Sequence, residues 1–351
     1  MTAPLGIIEG YYGTPWNWED RAQVISITSA HDYRFYIYAP KADRYLRKRW
    51  REEHPSDVSE KLAQLAARCR SLGVRFGVGL SPFEIYRNFD DEAKAELGRK
   101  LKWLDTIGTE IVAILFDDMR GDLPELAETQ VRILHWIKER SKAKQLITCP
   151  SYYTDDPVLD RFFGQRPPNY LEDLGAMLDP SIDVFWTGEE VCAREIGVAH
   201  VKRVGEQLRR KPFLWDNYPV NDGPRMSPFL HVRAFTGRSG ALAPHIAAHA
   251  VNPALQAHLS LIPMLTLAQS YRLGDGYSYG RAFDDAARSL LGEAFARLLR
   301  EDLTFVQDSG LDRLGKWATG LRERYAAVDH PAAREIVAWL DGAYRATAMN
   351  D

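Results

Sequence analysis

Short apolar runs recur along the chain, and most are followed by a stretch with apolar positions at helical spacing. The runs are LGIIEG (5–10), RFYIYAP (34–40), VRFGVGLSP (74–82), EIVAILFDD (110–118), QLITCPSYY (145–153), IDVFWTG (182–188), PFLWDN (212–217) and HIAAHAVNP (245–253). They are rich in β-branched and aromatic residues, which predicts short strands buried on both faces. HVRAFTG (231–237) competes with HIAAHAVNP for the last place. Between the runs, residues 57–73 and 91–108 read as helices that stop on Gly73 and Gly108, as a helix C-terminus favours. Residues 123–144 and 194–211 continue the alternation. Strands alternating with helices predict an α/β fold, a (β/α)8 TIM-type barrel, with a doubly wound open sheet as the second choice. After Gly280 the pattern is helical throughout. The expected division is a catalytic barrel over 1–280 and a small C-terminal helical appendage over 281–351.

Barrel enzymes carry their chemistry at the C-terminal ends of the strands. Here those ends hold Glu9, Gly10, Tyr11 and Tyr12, then Lys41, Glu84, Asp117 with Asp118, Tyr152 with Tyr153, and Trp186. Trp215, Asp216 and Asn217 follow, with Asp222 close behind, and Asn252 completes the ring. Aromatic faces stack on the C–H faces of sugars, and carboxylates and amides grip hydroxyls in pairs. A phosphate site would need a glycine-rich turn or an arginine cluster, and neither is evident.

The adjacent pair Asp117-Asp118 carries the sharpest signal. In a regular strand the two side chains point to opposite faces, but a bend at the strand end lets both reach one cavity. Two such neighbours cannot both ionise freely, so one apparent pKa rises and the other falls. Retaining glycosidases place two carboxyl groups about 5–5.5 Å apart across the scissile bond, which adjacent residues do poorly. A 2-acetamido sugar supplies the missing nucleophile through its own carbonyl oxygen. One aspartate then orients the acetamido N–H, while the other protonates the leaving oxygen and later deprotonates water.

Each residue also has a plainer role. An Asp pair caps loops, Lys41 sits in a charged segment that normally faces solvent, and Tyr11, Tyr12, Trp16, Trp18 and Trp50 suit packing. Trp186 fits wall or core, and Glu84 fits a salt bridge. His245 and His249 lie within an expected strand, so their spacing makes no helical metal site. Two rival functions remain: a metal-dependent barrel enzyme using Asp117, Asp118 and Glu84 as oxygen ligands, and a sugar-binding protein without turnover.

Composition narrows the setting. The chain has 351 residues, 45% hydrophobic and 26% charged, enough for a large core. A net charge of -3 points away from nucleic acid or an anionic membrane surface. Its three cysteines, Cys69, Cys149 and Cys192, are scattered, without metal-ligand spacing, and read as reduced thiols. No cofactor or metal is expected. The start MTAPLGIIEG does not read as a signal peptide, and no apolar run approaches the ~20 residues of a membrane span, so a cytoplasmic enzyme is expected. Nothing in the pattern fixes an oligomeric state.

Longer motifs agree with this reading. GIIEGYYGTPWNWEDR, YIYAPKADRYLRKRWREEHP, LFDDM, CPSYY, DVFWTG and LWDNYPVND occur in the order seen in family 84 of the glycoside hydrolases. Over roughly residues 5–275 the chain resembles that family, which comprises protein O-GlcNAcases and related β-N-acetylglucosaminidases. The resemblance implies a barrel followed by helices, and retaining, substrate-assisted hydrolysis of terminal β-linked GlcNAc through an oxazoline. It implies Asp117 as the group that orients the acetamido and Asp118 as general acid and base. Tyr153 would bind the acetamido oxygen or stabilise the oxazoline. Gly10, Lys41, Asp222 and Asn252 would hold hydroxyls, Asn217 would bind near the glycosidic oxygen or the acetamido group, and Trp215 would wall the pocket. The partner implied is a GlcNAc-bearing glycoconjugate or glycoprotein. Ala42 and Tyr152 depart from the family pattern, which has acidic residues there. The aglycone, whether protein, peptide or saccharide, is left open.

Overall fold

A computed structural model of the chain describes residues 3–346. Eight strands form one closed parallel barrel in sequence order. They are β1 (Leu5–Glu9), β2 (Tyr33–Tyr38), β3 (Arg75–Leu80), β4 (Ile111–Leu115), β5 (Gln145–Cys149), β6 (Ile182–Trp186), β7 (Phe213–Asp216) and β8 (Ala248–Val251). β1 pairs with β8 through Leu5 opposite His249, so no sheet edge is left open. Helices α1 (Trp18–Ser29), α2 (Ser56–Ser71), α3 (Asp91–Thr106), α4 (Leu126–Lys138), α5 (Val158–Phe163), α6 (Tyr170–Met177), α7 (Val198–Leu208), α8 (Gly223–Met226) and α9 (Ala257–Leu273) lie between or after the strands. The expected barrel is therefore observed, with every expected apolar run contributing one strand.

The local signals act as their chemistry dictates. Asn17 caps α1 by accepting from the Asp20 amide, and Asp90 caps α3 by accepting from that of Ala93. After α2 the chain turns at Gly73 with φ +68°, a conformation that costs a residue with a Cβ. The competing run 231–237 stays out of the sheet. Its amides find partners elsewhere: Gln307 Oε1 accepts from Val232 and Arg233 at 2.9 Å each, and Thr266 Oγ1 accepts from Phe235 at 3.0 Å. Side chains satisfy these donors, so no strand neighbour is needed.

Aromatic rings run through the barrel from the strand starts toward the pocket end. Phe213 meets Phe35 and Phe185 edge-on at 5.3 and 5.0 Å, and Phe185 meets Trp215 at 5.2 Å. Beyond the barrel come α10 (Tyr279–Leu291), α11 (Glu293–Leu303), α12 (Leu311–Leu314), α13 (Trp317–Ala326) and α14 (Pro331–Leu340). They bury Phe283, Leu299, Tyr325, Ile336 and Trp339 in a second apolar cluster that includes Leu259, Ile262 and Leu265 of α9. Among the described residues, no helix is long and apolar enough to cross a membrane.

Candidate active site

Strand β4 is buried along its length, and Asp117 and Asp118 follow it after Phe116. Asp118 takes φ +57°, the left-handed conformation that aspartate tolerates better than most residues. That turn breaks the strand alternation, and Lys41, from the loop after β2, lies against both carboxylates. Its ammonium donates to Asp117 Oδ2 and stands 3.5 Å from Asp118 Oδ2. Asp118 also accepts from the Tyr12 hydroxyl at 2.8 Å on Oδ2 and from the Tyr153 hydroxyl at 3.2 Å on Oδ1. Asp117 Oδ1 is buried and has no hydrogen-bond partner. The pair's ionisation splits. Burial drives Asp117 above the usual carboxylate range, and Lys41 only partly opposes it. Asp118 is held below that range: burial pushes it up, but Lys41, the Tyr12 hydroxyl, Arg47 and the Tyr153 hydroxyl outweigh this.

A connected amide network forms beside the carboxylates. Asn252, just past β8, accepts from the Gly10 amide at 3.1 Å and donates to Asn217 Oδ1 at 2.9 Å. Trp215 donates its indole N–H to the same Asn217 oxygen at 3.0 Å, and Asn217 donates to the Val191 carbonyl at 2.8 Å. Only a glycine fits at position 10, because a Cβ there would lie 2.2 Å from the Trp215 ring. Asp222 accepts from the Tyr12 amide at 2.7 Å, and burial raises its carboxyl to about 6. Hydrogen bonds and ion pairs thus link Gly10, Asn252, Asn217 and Trp215 in one group and Lys41, Asp117, Asp118, Tyr153 and Asp222 in another. Lys41 Nζ, at 5.9 Å from the centre of the Trp215 ring, joins the two.

Comparison with known proteins gives this arrangement its relatives. A family model described as beta-N-acetylglucosaminidase matches residues 5–304. The chain belongs to the β-N-acetylglucosaminidase family. It is 29% identical over 276 residues to the protein O-GlcNAcases of Mus musculus and Rattus norvegicus, an alignment covering 76% of this chain. The chain spans only 30% of the length of those relatives. An O-GlcNAc hydrolase of Thermobaculum terrenum, solved as an Asp-to-Asn variant, matches with a TM-score of 0.79 and 30% identity, covering 96% of this chain and 80% of the other.

Within this barrel, the other polar strand ends serve the scaffold. Glu9 is fully buried and takes a two-point contact from Arg21 together with the Tyr36 and Tyr11 hydroxyls. Asp216 faces Arg238 and His249, and Trp186 donates to His200 in the core. Tyr152 is buried, with its hydroxyl on the Gly164 carbonyl at 2.6 Å. Glu84 pairs with Arg87 at 3.2 Å. No group of three or more metal-ligating side chains occurs among the described residues. Two contributors carry roles that the sequence does not single out. Tyr12 was indistinguishable from its neighbour Tyr11, and Arg47 sat in a charged segment that normally faces water. Arg47 is in fact buried, with its guanidinium 5.4 Å from the Tyr12 ring centre and 5.9 Å from that of Phe83.

Proposed function

We propose that this chain is a retaining β-N-acetylglucosaminidase of the O-GlcNAcase type that removes terminal β-linked GlcNAc by substrate-assisted catalysis. The observation that carries the reading is Asp117 Oδ1, a buried acceptor with no partner, immediately beside a second carboxylate. A buried acceptor left unpaired costs about 1–3 kcal/mol, and the acetamido N–H of the sugar is a donor that would satisfy it.

In the first step the acetamido carbonyl oxygen forms a bond to the anomeric carbon as the glycosidic C–O bond breaks. Asp118 gives its proton to the departing oxygen, and Asp117 holds the N–H as positive charge develops on the oxazoline. In the second step water attacks the anomeric carbon, its proton passes to Asp118, and the oxazoline C–O bond opens to give GlcNAc of retained configuration. Tyr153 binds the acetamido oxygen, Trp215 walls the acetamido pocket, and Asn217 lies near the glycosidic oxygen. Lys41, Asp222, Asn252 and the Gly10 carbonyl bind hydroxyls. The protein's own donors favour a proton on Asp117, whereas the first step needs it on Asp118. The sugar reverses this preference. Its N–H gives Asp117 a new donor, and Tyr153, turning to the acetamido oxygen, leaves Asp118 with one fewer.

Release of 4-nitrophenol from 4-nitrophenyl N-acetyl-β-D-glucosaminide, with and without a chelator, tests the reading. Turnover unaffected by chelator, and no turnover of the matching glucoside without the acetamido group, are expected. Loss of activity with chelator would favour metal chemistry, binding without release would indicate a lectin-like protein, and ready cleavage of the glucoside would overturn the mechanism. We also propose a cytoplasmic setting, which fits three free cysteines. Residues 281–351 are proposed as a C-terminal unit whose described part, 281–346, is helical and docks on α9, consistent with the second apolar cluster; residues 347–351 lie outside the described residues.

A further inference from the structure

Asp118 is unusual in how unevenly its two oxygens are engaged. Oδ2 accepts a 2.8 Å hydrogen bond from the Tyr12 hydroxyl and faces the Lys41 ammonium at 3.5 Å. Oδ1 has only the longer 3.2 Å contact from Tyr153. Tyr12 itself is held at three points. Its amide is bound by Asp222, its ring lies against the Arg47 guanidinium, and its hydroxyl meets Asp118. Burial drives the Tyr12 phenol far above its ordinary range, so its hydroxyl stays a donor at any working pH. Arg47 lies in the loop that presents Lys41, where its amide donates to the Arg44 carbonyl at 3.2 Å. There Asp43 accepts from the Tyr45 amide at 3.0 Å and contacts His54 Nε2 at 3.2 Å and the Tyr38 hydroxyl at 3.1 Å.

We propose that Tyr12, backed by Arg47, is a positioning residue for Asp118: it keeps Oδ2 supplied with donors, so that Oδ1 delivers and recovers the catalytic proton. A carboxyl oxygen that already accepts a short O–H bond beside an ammonium is a poor site for a proton, whereas Oδ1 is freed when Tyr153 turns to the sugar. The same donors favour the anionic form that the second step uses as base. The inference rests on the substrate-assisted reading above. The charged and titratable groups around Asp118 are Tyr12 from the loop after β1, Lys41 and Arg47 from that after β2, Asp117, Cys149 and Tyr153 from β5 and its loop, and Asp222 from the loop after β7.

The test is the pH profile of kcat for a GlcNAc glycoside with a poor alkyl leaving group, measured for wild type, Tyr12→Phe, Arg47→Met and Arg47→Lys, because kcat reports the substrate complex, in which Asp118 holds the proton. The basic limb reports the acid that must be protonated. Tyr12→Phe removes one hydrogen bond to a carboxylate, and the limb should move to higher pH by about one unit. Arg47→Met should move it the same way by roughly half a unit, and Arg47→Lys should restore most of that. A Tyr12 with a packing role alone would lower the whole profile and leave the limb in place, and that result overturns the inference. Asp118→Asn, assayed alongside, separates the two failures. If it loses poor leaving groups far more than activated ones while the limb of Tyr12→Phe stays put, the inference fails and the mechanism stands. If Asp118→Asn shows no such dependence, the mechanism itself falls. Thermal melting of each variant identifies any that misfold, and the Arg47 pair then decides.

Discussion

On the proposed mechanism, one residue of spacing between Asp117 and Asp118 separates two tasks that give different signatures when removed. Asp118→Asn should depress hydrolysis of poor leaving groups by about 10²–10⁴ while activated aryl glycosides lose far less, since a good leaving group needs little protonation. Asp117→Asn should slow both classes, because orientation of the acetamido is lost whatever departs. Steady-state kcat/KM on an alkyl and an aryl glycoside distinguishes them, and equal losses on both substrates in Asp118→Asn would remove it from the acid role. The residue-scale geometry explains why the pair is not redundant. Asp118 is surrounded by donors, whereas Asp117 keeps one oxygen without a partner.

At the scale of elements, Asp216 at the end of β7 is locked to His249 of β8 by a charged cluster near the Asn217 and Asn252 amides. Arg238 donates to both oxygens of Asp216 at 2.7 Å each, and His249 contacts it at 2.9 Å, all buried. Burial pushes the Asp216 carboxyl up, but Arg238 and His249 bring it down to about 2. Its folded-state value lies below the unfolded value of about 3.9, so this stabilisation is complete above about pH 4 and is lost as the pH falls toward 2. Urea unfolding across that window should show a falling midpoint. Asp216→Asn should cost about 3–5 kcal/mol at neutral pH, because Arg238 is left buried without its counter-charge. A loss under 1 kcal/mol would show that the cluster is dispensable.

For the whole molecule, the joint between barrel and C-terminal helices is the feature to probe. Glu335 of α14 accepts from the amides of His258 and Leu259 at 2.9 Å each, in the first turn of α9. It thereby caps α9, the helix after the β8 loop that carries Asn252. Burial raises its carboxyl to about 8 despite the two amides. A carboxyl raised above its unfolded value of about 4.3 stabilises fully below that value, and the contribution fades as pH climbs through about 8. Thermal melting should therefore drop between pH 5 and 8.5 in wild type, and Glu335→Gln, which mimics the protonated form, should flatten that drop. An unchanged slope in the variant would place the pH dependence elsewhere.

The alternation of apolar runs and helical stretches determined eight buried strands and an α/β fold by itself, because strand burial and helix amphipathicity are written in nearest neighbours along the chain; closure into a barrel came from β1 pairing with β8. The strand ends then placed Lys41, Asp117, Tyr153, Asn217 and Asn252 on one rim, and the longer motifs tied that rim to a glycosidase family. Tertiary structure alone decided the rest. Tyr11 and Tyr12 are equivalent in sequence, yet Tyr11 turns to Glu9 and the Trp16 amide while Tyr12 reaches Asp118. Arg47 looks like a solvated charge, yet it is buried against the Tyr12 ring. Which aspartate rises and which falls depends on Lys41, 76 residues away from Asp117, and on a tyrosine 106 residues from Asp118. Hydrophobic pattern is local, whereas charge, hydrogen bonding and burial at the pocket are set by groups that only the closed barrel brings within a few ångströms.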